Sequence, residues 1–240
     1  MTKCVIKYRD VILSADGLAR NPDGYVFLNS PNIKNRKIIY GVAFNDFPFS
    51  VRNSSQGNWI AYEMWCSMLA RCYSEAYRRR FKTYNRVTCC LAWQKFSGFL
   101  NWLLDQPYNS GFQLDKDLLS QGTEYNSENC ILVPQWVNKI TVDAKAARGE
   151  FSLGVRIRGS RFIASVCVGD GVQISKSFGD PDGASDWYYT KKREYVDSCK
   201  AYLDTLHPSL YKGICDILNE RRLNEQLEKF CTAAVSRGEE

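Results

Sequence analysis

Histidine is nearly missing from this chain: one imidazole, His207, occurs in 240 residues, just before a proline near the end. No motif elsewhere can draw on the side chain that most often serves as a general base near neutral pH. Long apolar runs are missing too. No window approaches the roughly 18 residues that a membrane span needs, and Met1 to Asp10 carries Lys3, Lys7 and Arg9 without an apolar stretch of signal length. The expectation is a protein without membrane contact, in the cytoplasm. The ten cysteines, at 4, 66, 72, 89, 90, 130, 167, 199, 215 and 231, show no paired C-x-x-C spacing, so they read as reduced thiols, most of them small core residues. Internal repeats and low-complexity tracts are absent as well.

What is present fits an ordinary folded chain. The apolar share is 45% and the charged share 24%, enough to build a core, and the length allows one large or two small domains. Lys plus Arg number 32 against 26 Asp plus Glu, a net +6. Residues 1 to 110 hold 15 basic and 7 acidic side chains, so the surplus lies there and the remainder is slightly acidic. A basic surplus favours polyanionic partners.

Residues 1–58 mix β-branched runs such as Lys37 to Val42 with turn formers such as Asn21 to Gly24 and Ser30 to Asn32, which predicts short strands and long loops. From Ala61 the apolar residues Trp65, Met68, Leu69, Cys72 and Tyr73 recur at helical spacing and run into Arg78-Arg79-Arg80-Phe81-Lys82. That charge run is either a solvated helix end or a phosphate contact. A second helix is predicted over Leu91 to Leu104. Strand, loop and strand follow at 111–134, then a helix over Gln135 to Ala147, closed by Arg148-Gly149. After Gly149 the period becomes two. Val155 and Ile157 alternate with Arg156 and Arg158, and Phe162, Ala164, Val166 and Val168 alternate with Arg161, Ile163 and Ser165. Turns at Arg158-Gly159-Ser160 and Gly169-Asp170-Gly171 predict a three-stranded antiparallel sheet, covered by a helix over Ala184 to Leu203. From His207 the chain reads as an amphipathic helix that either docks on the body or self-associates as a homo-oligomer contact.

The segments Trp65 to Tyr73, Tyr84 to Cys90, Leu114-Asp115-Lys116-Asp117-Leu118-Leu119, Tyr125 to Cys130 and Val133-Pro134 with Asn138 together resemble a phage family of HNH-endonuclease-like proteins. The resemblance covers roughly residues 40 to 205 and implies an α+β fold with a ββα unit. By that resemblance Asp115 stands at the metal-ligand position, Lys116 at the position of the base, and Asn129 and Asn138 at the later catalytic positions. The departure is Lys116: a lysine with its usual pKa of about 10.4 is protonated at pH 7, and flanking Asp115 and Asp117 hold it so. Retained cleavage would need Asp115 and Asp117 to bind Mg²⁺; otherwise no cofactor is expected. A structural zinc on Cys72, Cys89, Cys90 and Cys130, which some HNH units carry, fits poorly because Cys89 and Cys90 are adjacent.

A second resemblance covers residues 152–205. Leu153-Gly154-Val155-Arg156, Arg161-Phe162-x-Ala164 and Phe178-Gly179 resemble the plant ethylene-response-factor type of DNA-binding domain, with Phe162 where that family usually has tryptophan. It implies a sheet laid in the major groove that reads bases through Arg156, Arg158 and Arg161. Phosphate contacts from Arg78, Arg79, Arg80, Lys82, Lys139, Lys145 and Arg148 would add affinity. The organisation expected is an N-terminal segment (1–58), a degenerate HNH-like unit (59–149), a sheet-type reader (150–206) and a C-terminal helix and tail (207–240). The leading functional expectation is a phage or mobile-element protein that binds double-stranded DNA in the host cytoplasm without cutting it. Two alternatives stand beside it: an Mg²⁺-dependent nicking or homing endonuclease, and a host-takeover protein that binds and inhibits a host defence protein.

Overall fold

The computed structural model describes residues 12–13, 19–20, 26–29, 36–53, 57–107, 111–143, 151–169 and 171–236. The chain is a mixed α+β protein that divides into two compact units, 1–132 and 133–240.

In the first unit, strands β1 (Ile12–Leu13), β2 (Ala19–Arg20), β3 (Val26–Asn29) and β4 (Phe49–Ser50) form a four-stranded antiparallel sheet in sequence order. β5 (Arg52–Asn53) and β6 (Gly57–Asn58) make a small hairpin. The turns expected at 21–24 and 30–32 lie outside the described residues. The β-branched run Lys37 to Val42 is not a strand. Ile39 and Ala43 form an isolated bridge across a tight turn, with Tyr40 and Gly41 both at positive φ (50° and 75°). Sequence alternation could not register this, because the constraint is the next residue: the Phe44 amide donates to the Gln94 carbonyl at 2.8 Å and its carbonyl accepts from the Phe96 amide.

That same bridge splits the helix expected over Leu91 to Leu104. Residues Leu91–Gln94 form a 3-10 turn, Lys95 is extended, and α3 runs Phe96–Leu104. Asp46 caps the new start from a distance in sequence, accepting from the Ser97 amide at 2.9 Å and from its hydroxyl at 2.6 Å. Helix α1 (Ile60–Tyr73) buries Ala61, Trp65, Met68, Leu69 and Cys72, the stripe its spacing predicted, and a short α2 (Glu75–Arg80) follows. The indole of Trp65 donates to the Trp93 carbonyl at 2.7 Å, so its one polar atom is satisfied inside a cluster of Phe47, Trp59, Phe96 and Phe99. Each such side chain contributes about 1.5–3 kcal/mol on burial.

β7 (Thr88–Cys89) pairs in parallel with β9 (Glu124–Tyr125), and β8 (Phe112–Asp115) pairs with β10 (Ile131–Pro134). α4 begins directly at Gln135 but ends at Ile140, not at Ala147 as the sequence suggested. The β-branched run Ile140-Thr141-Val142 is a poor helix former, and Thr141 already sits at φ −101°, ψ 7°. Residues 144–150, including Lys145 and Arg148, lie outside the described residues.

In the second unit the predicted antiparallel sheet is present. β11 (Val155–Arg158), β12 (Arg161–Cys167) and β13 (Gln173–Phe178) lie in that order, with Val155 opposite Ala164, Arg158 opposite Arg161, and Ser165 opposite Ser175. The helix over its apolar face, α5 (Pro181–Ser198), starts earlier than its apolar spacing suggested. Asp180 accepts from the Gly183 amide at 2.7 Å and Pro181 fills the first turn, both strong start signals. It breaks at Cys199, and α6 (Lys200–Leu206) and α7 (Leu210–Ser236) complete the unit. Among the described residues no helix is long and apolar enough to cross a membrane.

Two positions test this packing. Gly154 sits at φ +74°, and a Cβ there would come within 2.1 Å of the Tyr188 ring and 2.9 Å of the Ser165 carbonyl. Gly154→Ala is expected to destabilise the unit by roughly 2–4 kcal/mol in urea melts, combining a strained backbone with overpacking. Lys192, 6% exposed, has no carboxylate partner among the described residues. Burial lowers its pKa from the usual 10.5; the Cys167 thiol opposes that shift and the Arg221 guanidinium adds to it. The folded state therefore binds this proton less well than the unfolded chain. The cost is full at neutral pH and disappears as pH rises toward about 10.5. Lys192→Met should raise the melting temperature at pH 7, and the gain should shrink in melts near pH 10.

Candidate nucleic-acid interface

Because α5 covers one face of the sheet with Val155, Ala164, Val166, Tyr188 and Tyr189, alternation sends every other side chain outward. The strand register places Arg156, Arg158, Arg161, Ile163, Ser165, Cys167, Gln173, Ser175 and Ser177 on that open face. It carries three arginines and no carboxylate. Arg161 is held by Ser177, donating from Nε to the hydroxyl at 2.9 Å and from a terminal nitrogen to the carbonyl at 3.2 Å. Ser165 and Ser175 hydrogen bond across the strands at 2.8 Å. Arg156 and Arg158 are exposed and make no hydrogen bond or ion pair with the described residues. The polar partners on β13 were not singled out from the sequence, although its alternation Gln173, Ser175, Ser177 carries the signal.

The cationic run of the first unit separates into different roles. Arg78 donates to the Val87 carbonyl at 3.1 Å and lies over the Tyr73 ring, so its guanidinium braces the α2 turn. Arg79, Arg80 and Lys82 are exposed, Arg80 lying over the Phe81 ring. Arg86, which sequence reading passed over, is exposed in the turn that follows. In the second unit Lys139 is exposed on α4.

The Asp115 to Asn129 segment is built as a self-satisfied loop. One carboxylate oxygen of Asp115 accepts from the Asp117 amide at 2.7 Å and the Leu118 amide at 2.9 Å, while burial pushes its pKa up. Lys116 is buried; its ammonium pairs with Asp117 and donates to the Gly122 carbonyl at 2.8 Å. Asn129 closes the loop, accepting from the Ser120 hydroxyl at 2.7 Å and donating to the Glu124 carbonyl at 3.3 Å. Lys116 and Asn129 are thus brought onto one loop, whereas Asn138 lies half-buried on α4 in the other unit. The pair expected to hold Mg²⁺ does not fit the ion well: one Asp115 oxygen caps the turn, and Asp117 already faces an ammonium.

Cys72, Cys89 and Cys130 are buried near one another and Cys90 is half-buried. The Cys72 thiol is held protonated by its hydrogen bond to Cys89 and by burial. Tyr73 accepts from the Cys89 amide at 3.2 Å, which ties α1 to β7. Among the described residues no group of three or more His, Cys, Asp or Glu is arranged to hold a metal ion. No protein-family model, curated protein or solved structure matches the chain.

The clamp role of Lys116 is testable. Lys116→Ala leaves the Gly122 carbonyl and Asp117 without their buried cation and should cost about 1–3 kcal/mol. Hydrogen exchange should show faster opening of residues 116–129 while the sheet of the second unit is unaffected.

Proposed function

We propose that this protein binds double-stranded DNA through the open face of β11–β13 and does not cut it. The observation that supports this most is the composition of that face: Arg156, Arg158 and Arg161 among serines and a glutamine, without one acidic side chain. A twisted antiparallel ribbon has the dimensions to enter the major groove, where the planar guanidinium fork matches the two acceptors of guanine. Arg161, already oriented by Ser177, loses little freedom on binding, which suits a base contact. Arg156 and Arg158, exposed and without a partner among the described residues, suit phosphate or base. Arg79, Arg80, Lys82 and Arg86 would add sequence-independent phosphate contacts from the first unit.

The non-catalytic half of the proposal is supported by the Lys116 loop. An ammonium committed to Asp117 and a carbonyl has no free lone pair with which to take a proton from water. The proposal is thus an HNH-type unit kept as a scaffold in a chain that also carries a sheet-type reader.

Purified protein incubated with supercoiled plasmid, with Mg²⁺ and with chelator, should retard the plasmid without nicking it. Affinity should fall steeply with salt, with a log-log slope near −0.9 per phosphate neutralised. Replacing Arg156 and Arg158 together by Ala should weaken binding by on the order of 10- to 100-fold. A flat salt response or an undiminished double variant would defeat the sheet as the reader. Metal-dependent nicking lost in Asp115→Ala would replace the proposal with a nuclease.

A further inference from the structure

Two helices of the second unit each interrupt their buried stripe with a cation at the level where they meet. On α5 the stripe Ala184, Tyr188, Lys192 and Val196 repeats every four residues, and Lys192 is 6% exposed in the middle of it. On α7 Leu210, Ile214, Ile217 and Leu218 are buried, and Arg221 continues that face by one turn. The two helices are level there: Tyr189 and Arg193 line one cavity with Leu218 and Arg222, and the Arg222 guanidinium lies over the Tyr189 ring. Lys192 and Arg221 belong to the same turns and feel each other's charge. Neither has an anion. Among the described residues they make no hydrogen bond or ion pair, and Nη1 of Arg221 is closed off from solvent without a partner. The nearest carboxylate along α7, Glu225, accepts from the Leu153 amide at 3.0 Å. Ser152, the residue before that amide, is buried and its hydroxyl has no partner among the described residues.

We propose that Lys192 and Arg221 bind a small oxyanion such as inorganic phosphate, held between α5, α7 and the residues that lead into β11. A buried cation without a counter-charge is costly, and two side by side repel each other as well. An apolar side chain at position 192 would continue the stripe without that cost, whereas an anion between the two cations offsets it. The donor set suits a tetrahedral oxyanion. A guanidinium fork and a point-like ammonium donate charge-assisted hydrogen bonds to several oxygens at once, and Ser152 supplies a neutral hydroxyl in the same layer. Two cations against the single carboxylate of Glu225 leave the cluster one positive charge in excess. The near closure of Lys192 favours a compact free anion over a polymer backbone. α5 also lies across the sheet from the open arginine face, so this site and the DNA face are separate and neither proposal depends on the other.

Calorimetric titration of the full chain with sodium phosphate at constant ionic strength should show one site per chain with a Kd of about 1 mM or below. Phosphate should also raise the melting temperature where chloride at the same ionic strength does not. Lys192→Met should weaken phosphate binding by about 10-fold or more, yet melt higher than wild type in phosphate-free buffer, which a misfolded variant would not do. Arg221→Gln should weaken binding to a similar degree, and Arg156→Ala with Arg158→Ala should leave it unchanged. A phosphate response no different from that of chloride, or undiminished binding by Lys192→Met, overturns the site. Loss of phosphate binding in the Arg156 and Arg158 double variant places the anion on the open face and overturns it equally. Lys192→Met should retard plasmid as wild type does; loss of that retardation makes the occupant a DNA phosphate and overturns the free anion.

Discussion

The close approach of α5 to the sheet at Gly154 is the contact on which the second unit depends. A three-stranded sheet needs one face sealed by apolar packing to persist, and the sealing element here is a single helix. Tyr188 lies where a Cβ on residue 154 would stand, which is possible because glycine has none and accepts φ +74°. That contact seats Tyr188 and Tyr189 over Val155, Ala164 and Val166. Since strand side chains alternate, covering one face fully commits the other to water, and the arginines of β11 and β12 are displayed as a consequence.

The second unit was legible in the sequence because its information is local. Period-two alternation and two glycine turns specify each strand and its faces without knowledge of any distant residue; the covering helix was placed by its apolar spacing at Ala184 to Leu203, whereas the Asp180 cap and Pro181 start it earlier and it breaks at Cys199. The first unit was less legible wherever a distant residue decides the local conformation. Lys37 to Val42 reads as a strand by composition, but Phe44 bridging to the Gln94–Phe96 backbone turns it into a tight loop. The same bridge ends a 3-10 turn at Lys95, and Asp46, some fifty residues upstream, caps the helix that follows. Propensity yields to such tertiary hydrogen bonds because a buried amide left unpaired costs more than a change of helix register.

For the candidate site, the arginine face followed from alternation alone. The roles within the Asp115 to Asn129 loop did not. The resemblance to HNH-like proteins implied the position of the base for Lys116, yet only the structure shows its amine buried and shared between Asp117 and the Gly122 carbonyl. Burial of a lysine is unusual in sequence statistics and is tolerated here because a carboxylate and a carbonyl replace its water. Arg78 was similarly indistinguishable from Arg79 in sequence, although one braces a turn and the other is exposed.

Charge pairing explains how a half of the chain with a slight acidic excess can still present a cationic surface. On the helical side of the second unit, Lys191, Arg193, Lys200, Lys212, Arg222 and Lys229 are each paired with a carboxylate, mostly one turn away on the same helix. Such exposed pairs add little stability, but they cancel one another's field within a Debye length of roughly 8–10 Å. The sheet has no carboxylates with which to do the same. Its arginines therefore keep their full potential on the one face that the helix leaves open, and the sign of the local field is decided by pairing, not by the net charge of the segment.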